Sequence, residues 1–235
     1  MIEQYLKCLI RMGLSVHRKG ASPEAVEALE RACGHVLPQD YRDYLLEFGD
    51  DPGAVEFGDD GWTTVAAILG RYADPPAMAD TPQDCILVSV GCLSDSLMID
   101  CSGTAADGQI WTFDVDDPQG VSSSFRSLLF QKAWLRAHYV KGRYLHTQAQ
   151  WSPSVRVSEV EGVLASCGMN RCEFADQFQY CGESSDVWGE VSRYRLATVL
   201  NIGSGSAAIR ASWVKRCAAV LGEPIHIGGD DAGPP

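Results

Sequence analysis

The chain has 235 residues, 46% of them hydrophobic and 21% charged, enough for one large soluble domain or two modest ones. No apolar run reaches the roughly 18 residues of a membrane span, which excludes a helical membrane protein. A net charge of −12 and nine singly spaced cysteines argue against a nucleic-acid-coating protein and against a disulfide-stapled scaffold.

The first thirteen residues carry Glu3, Lys7 and Arg11 among apolar positions Ile2, Tyr5, Leu6, Leu9 and Ile10. That is a helical stripe, not a signal peptide. Ser22 caps a second helix with Pro23 at its first position and Glu24 in its first turn. Val26, Leu29 and Cys33 repeat at helical spacing, and Gly34 is the stop. After the hinge Leu37-Pro38-Gln39-Asp40-Tyr41, a third helix presents Tyr41, Tyr44, Leu45 and Phe48 and ends at Gly49. Asp50-Asp51-Pro52-Gly53 reads as a tight reversal, Ala54–Phe57 as a short strand and Thr63–Tyr72 as a short helix. Asp74–Asp84 is loop. Cys85–Val90, Leu97–Cys101 and Gln109–Val115 are strands joined by short turns, which predicts an antiparallel meander. Ser122-Ser123-Ser124 caps a closing helix with Phe125, Leu128, Leu129 and Trp134 on its apolar face. The order predicts an α+β domain over residues 1–140.

Downstream, 141–153 reads as a connector, 154–227 as a helical domain and 228–235 as a disordered tail. The expected helices are Val157–Cys167, one capped by Asn170 with Glu173 as capping-box partner, one starting at Ser184 or Ser185 with Val187, Trp188 and Val191 inward, and one striped by Ile209, Trp213, Cys217, Val220 and Leu221. Gly168–Arg195 is similar to a phage-repressor-type helix-turn-helix. From Trp151 onward, however, ten acids face seven bases, which lacks the basic face that DNA requires.

Charge is unevenly placed. Between Asp40 and Asp117 there are seventeen acids and only Arg42 and Arg71 against them, a balance of −15. The rest of the chain is +3, with fourteen acids and seventeen bases. Such a window repels phosphates and suits a basic protein partner. The same residues can also be read as a solvated surface that aids solubility.

None of the five histidines sits in a nucleophile motif, and no glycine-rich phosphate loop occurs. Gly203–Ser206 reads as a turn and helix cap. Asp114, Asp116 and Asp117 lack the loop spacing of a cation site, and Cys167, Cys172 and Cys181 lack a fourth zinc ligand. The cysteines are read as reduced small hydrophobes in a cytoplasmic protein. No catalytic residue, cofactor or metal is assigned.

The stretch from Ala28 to Gly49, with Leu37-Pro38-Gln39-Asp40-Tyr41 between two helices, resembles the entry of the SUKH superfamily. It differs in having Phe48-Gly49-Asp50 where that family shows an asparagine-glycine pair. Val88–Gly91, Leu97–Asp100, Gly108–Asp114 and Ser124–Leu129 resemble the family's later strands and closing helix, so the resemblance spans about 20–132. It implies a non-enzymatic binding fold. Bacterial members are mostly immunity proteins that neutralise toxins, often nucleases, and fungal relatives are interaction modules in cell-wall signalling. The expectation is an immunity protein that binds a basic, nuclease-type cognate toxin, and neither nucleic acid nor membrane. The expected contacts are Asp50, Asp51, Glu56, Asp59, Asp60, Asp95, Asp114, Asp116 and Asp117. A DNA-binding regulator using residues 168–195 and a regulatory scaffold without a toxin partner are the alternative readings.

Overall fold

The computed structural model describes residues 1–53, 55, 62–74, 78, 81–91, 96–102, 108–113, 119–140, 145–194 and 196–229. The chain divides into two units, Met1–Arg136 and Ala137–Pro235. The architecture is α+β, with seven helices and two antiparallel sheets among the described residues.

In the first unit, α1 (Ile2–Met12) ends at Gly13, whose φ of 70° is the left-handed value that glycine adopts at least cost. α2 (Pro23–Cys33) begins where the Ser22 side chain accepts the Ala25 N–H at 3.2 Å. α3 (Gln39–Phe48) follows the hinge, and α4 (Val65–Tyr72) is capped by Thr64, which accepts the Ala67 N–H. The meander appears as β1 (Cys85–Ser89), β2 (Ser96–Asp100) and β3 (Ile110–Phe113). A fourth strand, β4 (Gln119–Ser122), adds to its edge. The sequence hides that strand because Gln-Gly-Val-Ser has no apolar alternation. α5 (Phe125–Val140) closes the unit, and the unit boundary falls within it.

The core of the first unit is an aromatic cluster. Tyr5 of α1 meets Phe48 of α3 at 5.8 Å and Phe130 of α5 at 5.6 Å, both edge to face. Tyr44 stacks on Phe48 at 5.2 Å, and Phe125 touches Tyr41 and Tyr44 at 4.9 and 5.3 Å. Each such pair adds about 1 kcal/mol beyond the area it buries. The strand expected at Ala54–Phe57 lies outside the described residues except for Val55, which is buried.

The second unit corrects the sequence reading. Among the described residues it is a six-stranded antiparallel sheet with two helices, not a helical domain. The expected connector contains β5 (Leu145–Trp151). α6 (Val157–Ser166) is as expected, with Val160, Val163 and Leu164 buried. The segments read as a capped helix and a reading helix are strands instead: β6 (Asn170–Arg171), β7 (Gln179–Ser184) and β8 (Val187–Tyr194). β9 (Ala197–Ser204), α7 (Ala207–Leu221) and β10 (His226–Gly229) complete it, so Gly228 and Gly229 belong to a strand and 230–235 lie outside the described residues. The strand order is β10-β5-β9-β8-β7-β6.

The physical reason for the correction is local. Ser185-Asp186 forms the two-residue connection of a hairpin in which Ser184 pairs with Val187. Serine and aspartate suit that turn as well as they suit a helix cap. Asp176, and not Asn170, organises the preceding loop, accepting the Phe178 and Gln179 N–H groups at 2.9 and 3.0 Å. The helix-turn-helix reading falls with these helices.

One face of this sheet carries Ala149, Trp151, Tyr180, Val187, Val191, Leu200 and Ile202 in a common core with α6 and α7. α7 buries Arg210, Trp213, Val214 and Cys217, while Ile209 and Val220, expected inside, are exposed. The Trp151 indole N–H donates to the Gly222 carbonyl at 2.8 Å, which lets a buried indole keep its polar edge satisfied.

Candidate functional site

The hinge that carries the family resemblance is a packing device. Leu37 and Tyr41 are buried, and the Tyr41 hydroxyl donates to the Leu87 carbonyl of β1 at 3.3 Å. Glu30 on α2 accepts the Leu37 N–H at 3.3 Å and pairs with Arg42 of α3 at 2.7 Å, so one carboxylate holds the chain on both sides of the turn. The Arg42 guanidinium keeps that carboxyl below its ordinary value of 4.5. A carboxyl lowered by folding stabilises above its unfolded value and loses that contribution as pH falls through the folded one. Glu30→Ala should therefore cost about 1 kcal/mol at neutral pH. The gap in urea midpoint between it and the parent should narrow as pH falls below the ordinary carboxylate range.

The two described contact candidates, Asp50 and Asp51, sit where Lys19–Ala21 runs beside the end of α3. The Lys19 carbonyl accepts the N–H groups of Asp50 and Asp51 at 2.9 and 3.0 Å, and Ala21 N–H donates to Leu45 at 2.9 Å. Gly20 makes this approach possible, since a Cβ there would lie 1.9 Å from the Leu46 carbonyl oxygen. The seam brings three bases onto three acids: Arg18 to Glu47 at 3.0 Å, Lys19 to Asp50 at 3.7 Å and His17 to Asp51 at 3.0 Å. The acid side chains stay about 40% exposed. Each pair is worth about 0–1 kcal/mol, so the effect is on local charge and geometry more than on stability.

The sequence placed Asp50 and Asp51 in an acidic window and did not foresee these partners, which lie some thirty residues upstream. Glu56, Asp59, Asp60, Asp95, Asp114, Asp116 and Asp117 lie outside the described residues.

The same region is tied to the sheet. The Gly49 carbonyl accepts the Val65 N–H at 2.8 Å, and Trp62 and Val90 exchange two backbone bonds of 2.9 Å each. Trp62 and the Asp50-Asp51 turn are thus fixed by one short framework. Trp62 was not singled out in the sequence.

In the second unit, the sheet face away from α6 and α7 carries a polar row. Gln148, Asn201 and Glu190 are paired across β5, β9 and β8. Gln148 donates to Asn201 at 3.2 Å, Asn201 to Glu190 at 2.6 Å, and Gln179 to the other Glu190 oxygen at 3.0 Å. Glu190 is 3% exposed. Its two oxygens are taken by amide donors from β7 and β9, which ties three strands together side chain to side chain.

Three of the thiols are poorly suited to nucleophilic chemistry. Burial pushes Cys85 and Cys101 up to about 11 and Cys217 to about 12, so they stay protonated near neutrality. Among the described residues, no three His, Cys, Asp or Glu side chains are grouped to hold a metal ion. No described helix is long and apolar enough to cross a membrane.

Residues 20–131 match the SMI1 / KNR4 family (SUKH-1), a span that lies within the first unit. No curated protein matches the chain.

Proposed function

Because its first unit belongs to the SUKH superfamily through the SMI1 / KNR4 family (SUKH-1), we propose that this chain is a cytoplasmic immunity protein that binds and neutralises a cognate bacterial toxin. The activity proposed is binding and occlusion, without catalysis. The observation that carries it, beyond membership, is the −15 balance between Asp40 and Asp117. A nuclease toxin holds its substrate in a basic cleft, and an acidic protein competes for that cleft with association accelerated by charge steering. The proposed contacts are Asp50, Asp51, Glu56, Asp59, Asp60, Asp95, Asp114, Asp116 and Asp117. Asp50 pairs with Lys19 and Asp51 lies 3.0 Å from the His17 ring, and both acids keep about two-fifths of their side chains accessible to a partner.

The test is co-expression with the toxin domain encoded beside this gene. Growth should be restored, and the two proteins should coelute on size exclusion. Raising the salt from about 0.05 to 0.5 M should slow association more than it speeds dissociation. Absence of both rescue and complex overturns the reading.

A further inference from the structure

Trp62 is 60% exposed. Four of the other five tryptophans, Trp134, Trp151, Trp188 and Trp213, are buried, and Trp111 is half-buried. The fold therefore covers its indoles, with this one open to water. An isolated exposed aliphatic residue is ordinary, but an indole left in solvent withholds a large apolar area from the core.

Its backbone is not free. The two bonds to Val90 hold Trp62 itself, Thr63 behind it is buried, Thr64 caps α4, and the Val65 N–H is bound to Gly49. A side chain presented from so fixed a main chain loses little further freedom on binding, which is what makes tryptophan an effective interface anchor.

Its charge setting selects the partner. From Asp43 to Gly70 the chain has seven acids and no lysine or arginine. Arg18 and Lys19 offset two of those acids, Glu47 and Asp50. A second copy would bring like charge against like, and nucleic acid would be repelled.

We infer that Trp62 is the apolar anchor of the toxin interface, entering a hydrophobic pocket on the toxin that is rimmed by lysine and arginine side chains. This rests on the toxin-binding reading above. The anchor supplies complex lifetime, while the acidic balance of the Asp43–Gly70 stretch supplies encounter rate.

The probe is the catalytically inactivated toxin domain encoded beside this gene, titrated against the full chain by calorimetry. Trp62→Ala should weaken binding about thirty-fold or more, chiefly through faster dissociation, and Trp62→Phe should recover part of the loss. Val36→Ala, at an 86% exposed position in the α2–α3 hinge, should leave affinity unchanged. Unchanged thermal melting of Trp62→Ala shows that the fold is intact. If the parent binds and Trp62→Ala binds equally well, the anchor is wrong and the immunity reading stands. A parent that does not bind overturns both. Binding that depends on Trp62 but is indifferent to salt overturns the basic rim.

Discussion

Replacing Glu190 with alanine should destabilise the second unit by about 3–5 kcal/mol. The Glu190 carboxyl group lies on β8 between β9 and β7, 3% exposed, and takes the Asn201 amide at 2.6 Å and the Gln179 amide at 3.0 Å. Alanine strands both donors in a buried place, at about 1–3 kcal/mol each, and leaves a cavity in the polar row. Truncating one member of a buried hydrogen-bonded network costs more than the desolvation it relieves, because its partners stay buried. Glu190→Gln keeps the volume and one acceptor, so its loss should be about half as large. Urea unfolding of the full chain, with amide exchange of β8 and β9 read alongside, separates this unit from the first. An alanine variant whose β8–β9 amides exchange at the parent rate would show that the row contributes register and no stability.

This row also marks where the sequence stopped being legible. Caps and stripes gave both α6 and α7 as helices, and the α6 stripe also faces inward, because Val160, Val163 and Leu164 have no competing strand period, whereas only Trp213 and Cys217 of the expected α7 stripe are buried. Val187, Trp188 and Val191 fit a helix face, but Val187, Gly189 and Val191 also alternate with Trp188 and Glu190, and the second pattern is the one that folds. Two periods compete over eight residues, and pairing with β7 and β9 decides between them, which no local signal encodes. The hydrophilic row at Gln148, Asn201 and Glu190 comes from three separated strands and becomes a feature only once they are in register.

The first unit was more legible because its signals are local: Ser22, Gly34, the proline hinge and the glycine-bounded strands each act within a few residues. Its candidate site was half legible. The acids at 50 and 51 could be counted, but their partners His17 and Lys19 could not, because the seam that joins them is a tertiary contact. Trp62 escaped for a related reason. Composition places aromatics inside, and only the bridge to Val90 shows this one held outward.

That seam gives the second large effect. Gly20→Val should cost the first unit about 3 kcal/mol. Even a Cβ at Gly20 would sit 1.9 Å from the Leu46 oxygen and 2.6 Å from its carbon, both main-chain atoms of a helix that cannot turn aside. Relief requires lifting residues 19–21 off α3, which stretches the bonds from Ala21 to Leu45 and from Asp50 and Asp51 to Lys19. Gly34→Ala is the informative contrast. Its φ of 75° is unfavourable for alanine, but nothing lies within 4 Å of its Cβ, so it should cost only about 1–2 kcal/mol of backbone strain. Thermal melting should place Gly20→Val roughly 10 °C below the parent and clearly below Gly34→Ala. Lifting the seam also separates Arg18 and Lys19 from Glu47 and Asp50 and loosens the Gly49–Val65 bond that helps fix Trp62. Under the proposed toxin-binding function, affinity should therefore fall in Gly20→Val even at temperatures where the variant is fully folded, whereas Gly34→Ala should bind as the parent does. A Gly20→Val protein that melts with the parent would mean the seam opens without cost and does not position the acidic turn.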